Sequence, residues 1–274
     1  EWISQVHVTD GYIELHPLEK DMQCIRIKGK QGRIRVVRYV GVHDYGFEEP
    51  GCAQVWAFDQ QQRCYRVAEV YKTHLTHGDW AEVWERMYFR FRPMFDILTD
   101  HDPSLQESLN RMLSASRGRN VPAIVRGFLK QRESKSDEKV GIDAVRRRLR
   151  ARPDGTRGMY FFRDAFPEGF DQDLKYMKRP YKTEMEIPNY VYRAWEDGKP
   201  YKEEPDPRCV DHGCDDLRAV AAFAESNEFA LPPGLAAYEP GSIARELSRG
   251  KPEKRWPGTG DGGIRARPDL GDYK

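Results

Sequence analysis

Two hydrophobic periods divide this chain. Over 36–43, 53–58 and 64–71, apolar runs of strand length are separated by short polar stretches such as Asp59-Gln60-Gln61-Gln62. This pattern predicts three strands in an antiparallel meander. Between Asp79 and Phe91 the period changes, and Trp80, Val83, Trp84, Met87 and Phe91 recur at helical spacing. That stripe reads as a core-facing helix rather than a base-stacking platform, with Asp79 near its start as a cap or dipole partner. Strands and helices then alternate: strand 95–99, helix 104–113, strand 121–125, helix 137–149 and strand 159–162. Pro180, Pro188 and Gly198 break the aromatic-rich stretch 181–195 into a hairpin or loop. A helix over 211–225 follows, with Leu217, Val220, Ala221 and Ala224 on its apolar side. A meander followed by alternation predicts an α/β fold with a mixed sheet, and functional residues gathered at strand ends.

The flanks read differently. Residues 1–35 alternate only weakly, with Tyr12-Ile13-Glu14-Leu15 and Cys24-Ile25-Arg26-Ile27 as short strand candidates, and are expected as a lead-in to a domain over 36–230. Residues 231–274 hold eight glycines and six prolines with few large apolar side chains, so a flexible tail is expected there.

Composition adds bounds. The chain has 274 residues, 39% of them hydrophobic, which supports one sizeable core with appendages. No run is long and apolar enough to span a bilayer, and Glu1-Trp2-Ile3-Ser4 does not begin a leader, so a soluble, unexported protein is expected. The first residue is not Met, which suggests a piece of a longer polypeptide. Five cysteines at irregular spacing are expected as free thiols. Cys209, His212 and Cys214 fall short of the four ligands of a structural zinc site. The net charge of +1 implies no bulk attraction to a polyanion. Locally, however, residues 126–152 carry ten basic side chains against four acidic ones. Lys135, Lys139, Arg146, Arg147, Arg148 and Arg150 are therefore candidate phosphate contacts. On a helix the three consecutive arginines splay, so at least one can instead pair with a neighbouring acid.

Candidate chemistry sits at the ends of three apolar runs: Val40-Gly41-Val42-His43-Asp44, Ile97-Leu98-Thr99-Asp100-His101-Asp102 and Val210-Asp211-His212-Gly213-Cys214-Asp215-Asp216. A carboxylate buried at a strand end is costly without a compensating cation or hydrogen bonds. Three such clusters in one domain point to a shared site for a hard divalent cation with oxygen ligands. Taken singly, each has a plainer use. Asp44 fits a turn before Gly46, Asp100, Asp102 and Ser104 fit helix caps, and so does Asp211. Glu69 shares a strand face with Tyr65, Val67 and Tyr71, either as a fourth acid near the site or as a paired edge residue.

The ordered set of these motifs, with Gln54-Val55-Trp56-Ala57-Phe58-Asp59 and Tyr65-Arg66-Val67-Ala68-Glu69-Val70-Tyr71 between them, resembles the C-terminal nuclease domain of tailed-bacteriophage terminase large subunits. The resemblance covers about residues 36–225. It implies a ribonuclease H-like fold, a mixed central sheet flanked by helices, and a two-metal endonuclease using Mg²⁺ or Mn²⁺ to cut concatemeric double-stranded viral DNA with little sequence preference. Carried over residue by residue, the catalytic metal ligands fall on Asp44, Asp100 and Asp215. Asp100 is preferred over Asp102 because Asp102 occupies the restricted position before Pro103. Asp102 and Asp211 are further candidate ligands, with His212 and Glu69 behind them orienting ligands or water. The family also implies a small terminase subunit, a portal protein and an ATPase half as partners, in the host cytoplasm and transiently at the procapsid portal. No G-x-x-x-x-G-K-[ST] occurs in this chain. Other readings are a junction resolvase or transposase-like nuclease of the same fold, and a nonenzymatic DNA-binding or assembly module.

Overall fold

The computed structural model describes residues 7–17, 22–91, 94–99, 103–115, 124–127, 135–191, 205–206 and 208–226. Three long strands form the expected meander. β4 (Ile34–Asp44) pairs antiparallel with β5 (Gly51–Asp59), and β5 with β6 (Cys64–Lys72). The parallel part also forms: β7 (Met94–Thr99) pairs with β4, β8 (Ile124–Gly127) with β7, and β9 (Met159–Phe162) with β6. The sheet is therefore mixed, as expected.

The stretch expected as a lead-in belongs to this sheet. β1 (Val8–Thr9) pairs with β9, while β2 (Gly11–Leu15) pairs with β3 (Gln23–Ile27), which pairs with the first residues of β4. β1 and β2 lie at opposite ends of the order β1-β9-β6-β5-β4-β3-β2, yet only Asp10 separates them in sequence. The sheet must curl until its ends meet. Gly11 allows this, because a Cβ there would lie 2.5 Å from the Phe162 ring. β2 and β3 fall on the two strand candidates of this stretch, and their weak alternation, which reflects uneven burial, hid only their place in the sheet.

Each face of the sheet carries a helix layer. On one face α1 (His77–Arg90) buries Trp80, Val83, Trp84 and Met87. It starts two residues before Asp79, with Thr76 as N-cap and Asp79 closing the capping box. A Cβ at Gly41 would lie 2.7 Å from Trp84, so this glycine seats the indole on β4. α2 (Pro103–Ala115) adds Leu109 and Leu113 to the same cluster. On the other face α3 (Lys135–Leu149) and α6 (His212–Glu225) pack together over Val40, Val42, Trp56 and Phe58. The stretch 181–195 is not a hairpin where it is described. After the short α4 (Gln172–Tyr176) it forms α5 (Thr183–Glu186) and a 3-10 turn (Ile187–Asn189). Buried polar contacts to β6, which leave no mark in hydrophobic periodicity, hold it there. The expected tail lies outside the described residues.

Candidate active site

Asp44 is the last residue of β4 and is buried. Its neighbour on β5 is Cys52, whose own neighbour on β6 is Tyr71, and two rows inward, on the same face, Gln54 lies beside Glu69. The N-terminus of α6 comes down on this row, where His212 Nδ1 donates to Asp44 Oδ2 at 2.7 Å, joining residues 168 apart in sequence. That bond sets the ring tautomer with Nδ1 protonated. Burial works against a charged imidazole, but the bond and charge of Asp44, aided by Glu186, outweigh it and raise the His212 pKa.

α6 can approach so closely because residue 213 is glycine. A Cβ there would collide with Thr183 Oγ1 and lie 2.8 Å from Thr183 Cβ. Gln54 Nε2 donates to Thr183 Oγ1 at 2.8 Å and to the Gly213 carbonyl at 3.3 Å, and Trp56 Nε1 donates to Gln54 Oε1. Thr183 in turn donates through its amide and hydroxyl to Glu69, both at 2.9 Å. Buried Arg66 pairs with Glu69 and donates to both oxygens of Glu184, at 2.6 and 2.5 Å. Burial pushes the Glu69 pKa up. Arg66 holds Glu184 below the usual range against the same effect. Glu69 is thus a paired residue clamping α5 to the sheet, two rows from the Asp44 row.

The cap of α6 comes from another element. Asp211 occupies the N-cap position but makes no side-chain capping bond. Instead Glu186 Oε2 accepts the Cys214 amide at 2.9 Å, and Glu186 Oε1 accepts the Tyr71 hydroxyl at 2.5 Å. Burial raises the Glu186 pKa to about 8. Glu186 thus does the capping that was the plainer alternative for Asp211. Burial first, then the nearby charges of Asp215 and Asp44, raise the Asp211 pKa, whereas Arg218 and His212 oppose the shift. Asp44 and Asp215 are therefore each within electrostatic reach of Asp211. Asp215 is engaged by Arg218 one turn along α6.

Comparisons with known proteins add the fold. No family model matches the sequence, and no curated protein matches it significantly. Among solved structures the chain is similar to the large terminase of a thermophilic bacteriophage, determined in complex with ADP. The two are 17% identical, with a TM-score of 0.50, over 84% of this chain and 44% of that one. The fold is ribonuclease H-like. The nuclease domain of the large terminase from bacteriophage SPP1, solved with bound Mn, is also similar. It is 16% identical, with a TM-score of 0.40, over 68% of this chain and 85% of its own. The chain spans less than half the length of the thermophilic-phage terminase.

In this ribonuclease H-like sheet, Thr99 at the end of β7 pairs with His43, the residue before Asp44. Asp100 and Asp102 lie outside the described residues. The donor set of Asp44, Asp211 and Asp215 suits a hard divalent cation in ligand chemistry. Among the described residues no three acidic, histidine or cysteine side chains are gathered tightly enough to hold an ion.

The basic stripe divides on inspection. Arg148 is buried and donates to the Gln62 carbonyl at 2.9 Å, so it is not presented to a phosphate. Arg147 pairs with Glu225 at 2.5 Å. Arg146 and Arg150 are exposed at the end of α3 and line a cavity of about 550 Å³ with Tyr190 and Arg218. The side chains of Lys135 and Lys139 lie outside the described residues. Sequence reasoning missed Glu186, Thr183, Tyr190 and Arg218 as contributors. Only the three-residue spacing of Asp215 and Arg218 on one helix face was available to suggest a pair.

Proposed function

We propose that this chain is a metal-dependent endonuclease that cuts double-stranded concatemeric viral DNA during genome packaging. The observation that carries the reading is the His212–Asp44 bond at the carboxyl end of β4, which brings the Asp211–Asp215 segment onto the acidic strand end of a ribonuclease H-like sheet. Ligands and catalytic groups in open α/β sheets gather outside the carboxyl ends of strands. Asp44, Asp100 and Asp215 would hold two Mg²⁺ or Mn²⁺ ions, with Asp102 and Asp211 as further ligands. Such ions supply a lowered water pKa and charge balance on the leaving oxygen.

The chain's own residues have separate tasks. His212 orients the Asp44 carboxylate, and Glu186 caps α6 so that Asp211 is not committed to that job. Arg146 and Arg150 hold backbone phosphates, a contact without base readout, which accounts for low sequence preference. The match covers only 44% of the similar terminase, which was solved with ADP. This supports an ATPase half in the same polypeptide, and with it a small terminase subunit and a portal as partners. The site of action is then the host cytoplasm, at the procapsid portal.

The test is incubation of supercoiled plasmid with Mg²⁺, Mn²⁺ or EDTA, using wild type beside Asp44→Asn. The expected result is nicking and linearisation with either metal, none in EDTA, and none with the variant. Cleavage by Asp44→Asn at the wild-type rate would refute the assignment of the site.

A further inference from the structure

Arg218 stands at a junction that the endonuclease reading leaves unexplained. It lies on α6 three residues after Asp215 and pairs with that carboxylate. Its other terminal nitrogen, Nη1, donates to the Tyr190 hydroxyl at 2.7 Å, and the guanidinium lies 5.9 Å from the Tyr190 ring centre. Tyr190 follows directly on the 3-10 turn after α5, so the tether belongs to the same segment that caps α6. The base of the Arg218 side chain passes close to α3 at Gly141, where a Cβ would lie 3.1 Å from Arg218 Cβ. Both charged groups are largely shielded, with side-chain exposures of 15% for Arg218 and 17% for Asp215. On its other side the arginine lines the cavity between α3, α6 and the 187–191 segment. The floor there is apolar, built from Ile142, Val145, Leu149, Ile187 and Leu217, and the other cations are Arg146 and Arg150.

Arg218 holds Asp215 through Oδ1, so a divalent cation taking that oxygen would compete with the guanidinium for it. We propose that Arg218 is a positioning residue with two stations: on Asp215 while the acidic site lacks its cations, and on a backbone phosphate of bound DNA once cations occupy Asp215. The inference rests on the endonuclease reading. In the first station Arg218 offsets the repulsion that Asp211 meets from Asp215 on its own helix and from Asp44 at the strand end. In the second it joins Arg146 and Arg150, and the cavity wall then presents three cations to the phosphate chain. Arg suits both stations because its planar fork matches carboxylate and phosphate alike. Metal loading and DNA engagement are thereby linked through one side chain, and each favours the other.

The deciding experiment is calorimetric titration of Mn²⁺ into the DNA-free chain for wild type, Arg218→Gln, Arg218→Lys, Tyr190→Phe and Asp44→Asn. Removing a charge-assisted bond that the metal must break should tighten Mn²⁺ binding by about tenfold in Arg218→Gln. Arg218→Lys, which keeps the charge, should stay near wild type, and Tyr190→Phe, which loosens the tether, should fall between. Binding of a short DNA duplex is then compared in EDTA and in Ca²⁺. Arg218→Gln should match wild type in EDTA and bind roughly fivefold more weakly in Ca²⁺. If wild type binds Mn²⁺ and Asp44→Asn does not, but Arg218→Gln equals wild type, the Asp215 station is wrong while the endonuclease site stands. Equal DNA affinity in Ca²⁺ would remove the phosphate station. If no protein of the set binds Mn²⁺, both readings fall.

Discussion

Gly213→Ala sets two physical effects against each other. In an ordinary helix the change would stabilise by up to ~1 kcal/mol, because alanine loses less backbone entropy than glycine. Here the added methyl meets Thr183, colliding with its Oγ1 and lying 2.8 Å from its Cβ, and it lies 3.1 Å from Glu186 Oε2. All three atoms belong to the buried α5 segment, and the Thr183 Cβ, fixed by the backbone, cannot rotate away. Overpacking of this kind costs about 1–3 kcal/mol. Displacing the Thr183 hydroxyl also weakens its bonds from Gln54 and to Glu69, the latter to a carboxylate and so worth about 1.5–3 kcal/mol. The collision outweighs propensity, and the net expectation is destabilisation by about 2 kcal/mol. In urea denaturation this moves the midpoint down by about 1 M with little change in slope. Thr183→Ala in the same background removes the colliding oxygen but leaves the Cβ contact, so the double variant should recover only part of the loss. A midpoint equal to or above wild type in Gly213→Ala would refute the close approach of α5 and α6 on which the site geometry depends.

Arg66→Ala strands Glu69 and Glu184 as buried carboxylates, and thermal or urea unfolding should show a loss of about 3–5 kcal/mol; a loss below ~1 kcal/mol would mean the pair is solvated. Arg146→Ala with Arg150→Ala should weaken DNA binding and flatten its salt dependence by about two phosphate contacts. Arg148→Ala should leave that slope alone and lower stability instead, because its side chain is buried against Gln62; a salt slope that follows Arg148 would reverse the assignment. Glu186 has a folded pKa of about 8, above its unfolded value, so the stability it contributes is full below the unfolded pKa and is lost as pH rises through the folded one. Wild type should therefore lose stability relative to Glu186→Gln as pH rises from about 4.5 to 8. A difference that stays flat across that range would contradict the buried, protonatable cap.

The strands of the meander, the helix of Trp80 and Trp84, and the helix of Leu217 and Val220 were legible because each depends on its own local period of apolar residues. The mixed sheet followed from the change of period along the chain. So did the placement of Asp44 at a strand end and of Asp211 and Asp215 at a helix start. β2 and β3 were legible as strands, but their place in the sheet was not, because the curl that brings its ends together is set by Phe162 meeting Gly11.

Which acids meet, and through what, was decided only by tertiary structure. Nothing local distinguishes Glu186 as the cap of α6, and nothing in Arg146-Arg147-Arg148 says which arginine turns inward. These outcomes depend on groups far apart in sequence, such as Gln54 with Thr183 and Tyr71 with Glu186. Hydrophobic period records how much of a residue is buried but not the partner it is buried against. Polar partners are chosen when α5 and α6 close on the sheet, over a glycine that leaves room for one threonine.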